Sequence, residues 1–397
     1  MVSPIARVAK ASRTPAKTLG IMVCRTAGEP PIPEKDYFRR LTRLGQKLGI
    51  TVYVFFPHQI DWPRRRVLGY GYSASMKSWE RSFFPLPDVV YDRCFYSNAH
   101  SYALSREPIR RLQAWPGTKF LGYGLKGKWT IYGMMQNDPD LAAHLPQTEL
   151  LRHPGDVARW LDEKGELFVK PHGGSHGKGA LHIFEHAQGF AVRGRTWLNE
   201  PVWRQFRSRS RLLAWVARFT SGRKTIIQRY LTLSTADGDA FDIRALVQKN
   251  GRGLWELTGM AVRRGAPGSV TSNLHGGGHA GEAQPFLLQR YGAEHCERIM
   301  ETIRRVALHV PVVLEQYHGR LAELGVDIGV DADGYVWVIE ANSKPGRSSF
   351  AAISNESVRL AAIRNPMLYA NYLLKGRPIA ARPDPLPINP NKSLITE

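Results

Sequence analysis

Along much of the chain apolar and polar positions alternate in short runs, and Gly, Pro, Asn and Asp punctuate them. The clearest case spans residues 323–346. Two alternating apolar runs flank Asp333-Gly334, a dipeptide suited to a tight two-residue turn, so this stretch predicts a β-hairpin. With those two residues as the loop, Ala332 pairs with Tyr335, and counting outward sets Asp327 opposite Glu340. Asn342 falls on the same face two residues further on. Like charges opposed on one sheet face are destabilising. This face is therefore either the solvated side of a polar hairpin or a place where two carboxylates and an amide oxygen surround a hard cation. Mg²⁺ takes such ligands and is commonly shared with substrate phosphates.

The same patterning predicts the other elements. Residues 18 to about 118 read as a small α/β unit: strands at 18–24, 51–56 and 88–93, with Phe38, Leu41, Leu44 and Leu48 at helical spacing between the first two. Residues 61–81, rich in Arg, Gly, Tyr and Ser, read as loop. Helices are expected at 128–136 and 156–163. Residues 167–170 form a strand that ends in Lys170 and runs into Pro171-His-Gly-Gly-Ser-His-Gly-Lys-Gly179, with a second strand at 180–184. A glycine-rich turn between strands can fold backbone N–H groups over an anion, or can simply be flexible; it matches neither the Walker A pattern nor the dinucleotide fingerprint. Residues 203–223 read as a basic amphipathic helix, a solvated face or an anion-binding one. Strands follow at 225–233, 241–248 and 255–262. Asp242 and Arg244 share one face, as a surface ion pair or a functional one. His275 and His279 have HxxxH spacing, but the three glycines between them oppose the helix a zinc pair needs. A helix from Glu294 to about Val310 should kink or end at Pro311, with a further turn or two to Tyr317, and one over 354–373 should break near Asn365-Pro366.

Composition narrows the class. The 397 residues suffice for two or three domains, and no apolar run approaches the roughly 18 residues of a membrane helix. The basic N-terminal stretch lacks the apolar core of a secretory signal. Three scattered cysteines argue against a disulfide framework and fit a reducing cytoplasm. The charge of +21 attracts polyanions without choosing among them.

Taken in order, a strand lysine with its glycine turn, an Asp-x-Arg strand, an Asn-bearing loop and a carboxylate hairpin resemble the ATP-grasp superfamily. The matching blocks are Phe168-Val-Lys170 with its loop, Asp242-Ile-Arg244, and Val326-Asp-Ile with Glu340-Ala-Asn-Ser-Lys-Pro-Gly346. More narrowly, the chain resembles the YheC/YheD group of endospore coat-associated ATP-grasp proteins. The residues behind this are Phe84-Pro-Leu-Pro-Asp-Val-Val-Tyr-Asp-Arg93, Gly127-Lys-Trp129, Phe241–Asn250 and Asn273 with its glycines, over about residues 18–375. The resemblance implies an α/β (α+β) fold: a basic tail at 1–17, an N-terminal α/β domain at 18–118, a lid at 119–230, a C-terminal antiparallel-sheet subdomain at 231–375, and a Pro-rich tail at 376–397. It also implies site residues. Lys128 and Lys170 would contact nucleotide phosphates, with Gly173, Gly174, Ser175 and Gly177 closing over them. Gln228, Arg229, Tyr230 and Leu231 would form the hinge at the adenine, where Arg229 stands in place of an acid found in many relatives. Asp327, Glu340 and Asn342 would hold Mg²⁺, expected as two ions with Mn²⁺ as a substitute. Arg244, Arg263 and Asn273 would face the γ-phosphate and the acceptor.

The activity so implied is an ATP-dependent carboxylate–amine ligase working through an acylphosphate, in the cytoplasm or in spore-coat or envelope formation, on a small-molecule or peptide substrate that is acidic on the charge argument. A nucleotide-binding coat-assembly protein without turnover is the first alternative. A nucleic-acid binder, prompted by the charge and the 204–223 segment, is disfavoured because no known module is recognisable.

Overall fold

The structure, a computed structural model, describes residues 17–96, 99–174, 177–235, 237–266, 269, 271–272, 274 and 277–376. Ser175, Asn273 and His275 lie outside the described residues, as do the two expected tails apart from Lys17, which opens the first strand, and Gly376. The described residues divide into two compact units: 17–121 together with 367–376, and 122–366.

The first unit begins β1 (Lys17–Met22), α1 (Lys35–Lys47), β2 (Ile50–Asp61), β3 (Arg66–Ser73), β4 (Ser78–Pro85), β5 (Val89–Asp92), α2 (Ala99–Gln113) and β6 (Lys119–Phe120). Its sheet runs β4-β3-β2-β1-β5-β6, with β1 parallel to β2 and β5 as the βαβ reading requires. The expectation of a loop over 61–81 is wrong. β3 and β4 pair antiparallel there, β3 also on β2. Its glycines read as loop but allow close approach: a Cβ on Gly69 would sit 2.8 Å from the Val54 carbonyl oxygen.

The second unit holds two antiparallel sheets. It starts with α3 (Lys128–Gln136), α4 (Pro139–Ala142), β7 (Thr148–Leu150), α5 (Pro154–Lys164), β8 (Glu166–Pro171), β9 (Leu181–His186), β10 (Gly189–Arg195), β11 (Pro201–Phe206), α6 (Arg209–Thr220) and β12 (Thr225–Gln228). The middle sheet runs β11-β10-β9-β8-β12-β7. One face buries Leu167, Val169, Leu181, Ile183 and Val192 under Trp160, Leu161, Leu212 and Val216 of α5 and α6. Residues 203–223 are thus not one helix: Trp203 to Phe206 finish the edge strand β11, and α6 starts at Arg209.

The remaining elements are β13 (Phe241–Lys249), β14 (Trp255–Arg264), β15 (His279–Glu282), α7 (Ala283–Tyr291), α8 (Ala293–His318), β16 (Glu323–Val330), β17 (Val336–Asn342), α9 (Ser348–Ala351) and α10 (Glu356–Leu374), the sheet running β15-β14-β13-β16-β17. One face of this sheet carries Ile243, Ala245, Val247, Val326, Ile328, Val336 and Val338. It packs on Ile299, Ile303, Val306, Val310, Val313 and Leu314 of α8 and on Ile131, Met134, Met135 and Leu141 of α3 and α4. That apolar stripe explains why α8 does not stop at Pro311. Its positions repeat at helical spacing on both sides of the proline, so burial of the second half outweighs the one lost backbone bond. α10 likewise continues through Pro366, contrary to the expected break.

The β16–β17 hairpin pairs Asp327 with Glu340, by a different route from the one expected. Its loop has three residues, Ala332–Gly334, closed by Asp331 N–H to the Tyr335 carbonyl at 3.1 Å, so Ala332 does not pair with Tyr335. Gly334 takes φ 81°, the left-handed conformation that such loops need at their last position. A bulge at Ile339 then restores the register, since Ile328 pairs with Val338 but Asp327 with Glu340.

Candidate functional site

Side-chain alternation fixes what faces the cleft between the two sheets of the second unit. Odd positions of β13 enter the core, so Asp242 and Arg244 project from the other face. Register then sets Arg263 of β14 opposite Asp242, and Asp327 opposite Arg244. On β17 the bulge reverses parity: Val336 and Val338 point into the core, yet Glu340 and Asn342 share the face of Asp327, while Ala341 returns to the core. Gly325 makes room here, because a Cβ would lie 3.0 Å from Arg244 Nη1 and 3.1 Å from Pro345.

These groups form one ionic cluster. Arg244 donates to both oxygens of Asp327, Nη2 to Oδ2 at 3.1 Å. Arg263 grips Asp242 through Nε and Nη2 and reaches Asp327 Oδ2 at 3.0 Å. Ser272 Oγ also donates to Asp242, and Asn342 Nδ2 lies 3.5 Å from Asp327 Oδ2. Burial pushes the Asp327 carboxyl upward, but Arg244 and Arg263 outweigh it and hold the group below its ordinary value. The same two carboxylates keep the buried Arg263 guanidinium charged.

The two lysines approach from the opposite side. Lys170 is the penultimate residue of β8, on the face that also carries Phe168, and its Nζ lies 3.5 Å from the carbonyl of Ile339, the bulge residue. Burial pushes the Lys170 ammonium down to about 8; Glu340 and Asp327 pull it upward and Lys128 adds to the depression. Lys128 opens α3, and its Nζ donates to Glu340 Oε1 and to the Gly174 carbonyl, both at 3.0 Å. His172 seats that helix: its carbonyl accepts from Lys128 N–H at 2.8 Å and its Nδ1 from Trp129 N–H at 3.2 Å. A side chain at 127 would have to push the His172 ring aside, since a Cβ would fall 2.0 Å from its Nε2. Gly173 and Gly174 are exposed, and Gly174 and Gly177 have φ 103° and 72°, so the turn takes a path that few other residues could follow.

The segment after β12 is more internally bonded than its sequence suggests. Gln228 Nε2 donates to Thr148 Oγ1 at 2.8 Å, and Arg229 N–H to the Gln147 carbonyl at 2.9 Å. The Arg229 guanidinium lies 5.5 Å from the Trp337 ring centre. Tyr230 stacks on His182 with ring centres 3.5 Å apart, and Leu231 accepts from Leu233 N–H at 2.9 Å. His182 also meets Glu166 at 2.8 Å and Arg193 Nε at 3.0 Å; burial and Arg193 push it down to about 3, so it stays neutral. This His182–Tyr230–Arg193 cluster went unforeseen. Its one sequence mark is a histidine between Leu181 and Ile183, on the strand face turned away from the α5–α6 core, and the adjacency depends on the β12–β8–β9–β10 register.

Of the residues singled out beforehand, Lys128, Lys170, Arg244, Arg263, Asp327, Glu340 and Asn342 thus come together. Four cationic side chains (Lys128, Lys170, Arg244, Arg263) meet three carboxylates (Asp242, Asp327, Glu340), a net +1. The oxygen donors of Asp327, Glu340 and Asn342 on one strand pair are the hard set that a cation such as Mg²⁺ prefers, so the residues fit one. A hard cation binding there would displace Lys128 from Glu340.

A family description of YheC/D-like ATP-grasp proteins matches residues 117–373. The endospore coat-associated protein YheC of Bacillus subtilis (strain 168) is 26% identical over 323 residues, 81% of this chain and 88% of that protein. YheD of the same organism is 28% identical over 349 residues, 87% and 76%. Among solved structures, the D-alanine-D-alanine ligase from Coxiella burnetii superposes with a TM-score of 0.48 at 12% identity, covering 91% of this chain and 97% of that one.

Proposed function

Because the chain belongs to the YheC/D-like ATP-grasp family, we propose that the cleft binds ATP and that the protein is an ATP-dependent carboxylate–amine ligase. The observation that carries this is the convergence of Lys128 and Lys170 on the pair Asp327 and Glu340, cations from one sheet and helix facing carboxylates of another.

In this reading the ammonium groups of Lys128 and Lys170 take the phosphates, and the Gly173–Gly174 turn, with Ser175 and Gly177, closes over them. Phe168, Tyr230 and the hinge Gln228–Leu231 hold the base, mainly through hinge backbone groups that internal bonds leave unused. Asp327, Glu340 and Asn342 hold Mg²⁺, which neutralises charge on the phosphate oxygens when bound. Arg244 balances charge at the γ-phosphate as a substrate carboxylate attacks it, giving an acylphosphate and ADP. An amine then displaces phosphate to form an amide. Arg263, held by Asp242 and Asp327, keeps the Asp327 carboxylate aimed, and Asn273 is assigned to the acceptor by the family resemblance alone. An acidic, small-molecule or peptide acceptor in coat or envelope formation fits the charge of +21 and the relatives' names.

The test is ADP release during a screen of amino acids and peptides, in wild type and Glu340→Ala. Turnover with at least one amine and its loss in the variant are expected. Equal turnover in both would remove the metal role. Nucleotide binding without ADP formation across a broad screen would favour the second reading, a coat-assembly protein that retains nucleotide, which the relatives' names motivate.

A further inference from the structure

The middle sheet ends at β11, and among the described residues none of 201–206 bonds to another backbone group beyond its pairing with β10; the Trp203 carbonyl accepts only from its exposed neighbour Arg204 Nη1, at 3.3 Å. Such an edge is a template for another strand. Its surroundings are heavily basic. Between residues 193 and 224 stand Arg193, Arg195, Arg204, Arg207, Arg209, Arg211, Arg218, Arg223 and Lys224 against the single acid Glu200. Arg209 pairs with Asp162, whereas Arg204, Arg207, Arg211 and Arg218 are exposed and have no carboxylate partner among the described residues. Phe206 of β11 packs on Trp215 of α6, and Arg211 and Arg218 flank Trp215 on that helix face, so they border the strand's end. On the opposite sheet face Trp203, 52% exposed, continues an aromatic row through Phe184 to His182.

We propose that the β11 edge docks an acidic peptide segment, which adds to the middle sheet as an extended strand with its carboxylates on Arg204, Arg207, Arg211 and Arg218. The unused backbone edge selects for a peptide, because only another backbone offers donors and acceptors at strand spacing. Charge selects its sign. Like-charged arginines repel the β11 edge of a second copy of this chain and attract an acidic strand. Apolar residues alternating with the acids would lie against Trp203. This surface is separate from the ionic cluster, so docking does not depend on the nucleotide reading.

The full chain without nucleotide is titrated, by fluorescence anisotropy, into a labelled peptide alternating Glu with Val. The comparisons are its Lys-for-Glu counterpart, an equally acidic peptide interrupted by Pro, and an RNA oligonucleotide of equal charge. The Glu/Val peptide is expected to bind and to protect the β11 amides from hydrogen exchange. The Lys and Pro peptides are expected to fail. The double variant Arg204→Glu, Arg207→Glu should bind about 10-fold or more weakly, at an unchanged melting temperature. Equal binding of the Pro-interrupted peptide would show charge adsorption alone and overturn the proposal. Tighter binding of RNA with displacement of the peptide, or protection away from β11, would overturn it too; the wild-type comparisons decide this even if the variant misfolds.

Discussion

Burial disfavours the Lys170 ammonium more than Glu340 and Asp327 favour it, and the phosphates of a nucleotide would favour it further. Its ordinary value of 10.5 is brought to about 8 by burial. Two consequences have opposite signs. A depressed lysine costs stability while it is charged, so this cost is present below pH 8 and fades as pH rises towards the unfolded value. The ammonium itself is lost as pH rises through about 8, so affinity for ATP should fall there, with proton uptake on binding. Lys170→Arg should flatten that profile, and calorimetry in buffers of different ionisation heat measures the uptake. Arg263 makes a different prediction. Its removal leaves Asp242 buried with only Ser272 for company, so Arg263→Ala should cost about 3–5 kcal/mol of stability. Chemical denaturation measures this; a cost near that of an exposed ion pair, about 0.5 kcal/mol, would mean Asp242 is neutral or hydrated.

Among the elements, two of the departures from local sequence signals show their physical cause most directly. α8 passes through Pro311 because the stripe Ile299, Ile303, Val306, Val310, Val313, Leu314 buries one continuous face. Pro311→Ala should therefore stabilise the protein by a net amount on the order of 1 kcal/mol, the restored backbone bond outweighing the lost ring contacts, and thermal unfolding measures it. The β16–β17 hairpin is the second case. Asp327 and Glu340 oppose each other as the sequence predicts, but a one-residue error in the loop is cancelled by the bulge at Ile339. The buried positions on β17 shift from even (Val336, Val338) to odd (Ala341), but residues 336–339 are apolar throughout, so the bulge left no mark in the sequence pattern. β3 and β4 were not legible either, because the β3 glycines Gly69 and Gly71 serve close sheet contacts rather than turns. Nor was the His182–Tyr230 stack, since cross-strand neighbours follow from registers that single-strand patterns leave open. Gly325→Ala gives an element-level test. The new Cβ would crowd Arg244 and Pro345, so nucleotide-dependent activity should drop while stability falls by only about 1–3 kcal/mol.

At the scale of the molecule, order along the chain carried more than any single motif. A lysine strand with a glycine turn, an Asp-x-Arg strand and a carboxylate hairpin are each commonplace. Only their sequence order pointed to one architecture, and the family match over residues 117–373 agrees with it. The charge of +21 acts at this scale as well. It should speed encounter with anionic ligands in a way that salt suppresses, so association rates for ATP should fall as ionic strength rises. The most direct test of the central claim is equilibrium binding of ATP with and without Mg²⁺, in wild type, Lys170→Ala and Glu340→Ala. Mg²⁺-dependent binding in wild type is expected, with Lys170→Ala weakened at least about 10-fold, as for loss of a charged hydrogen bond, and Glu340→Ala insensitive to Mg²⁺. Wild-type affinity and Mg²⁺ dependence in both variants would contradict it.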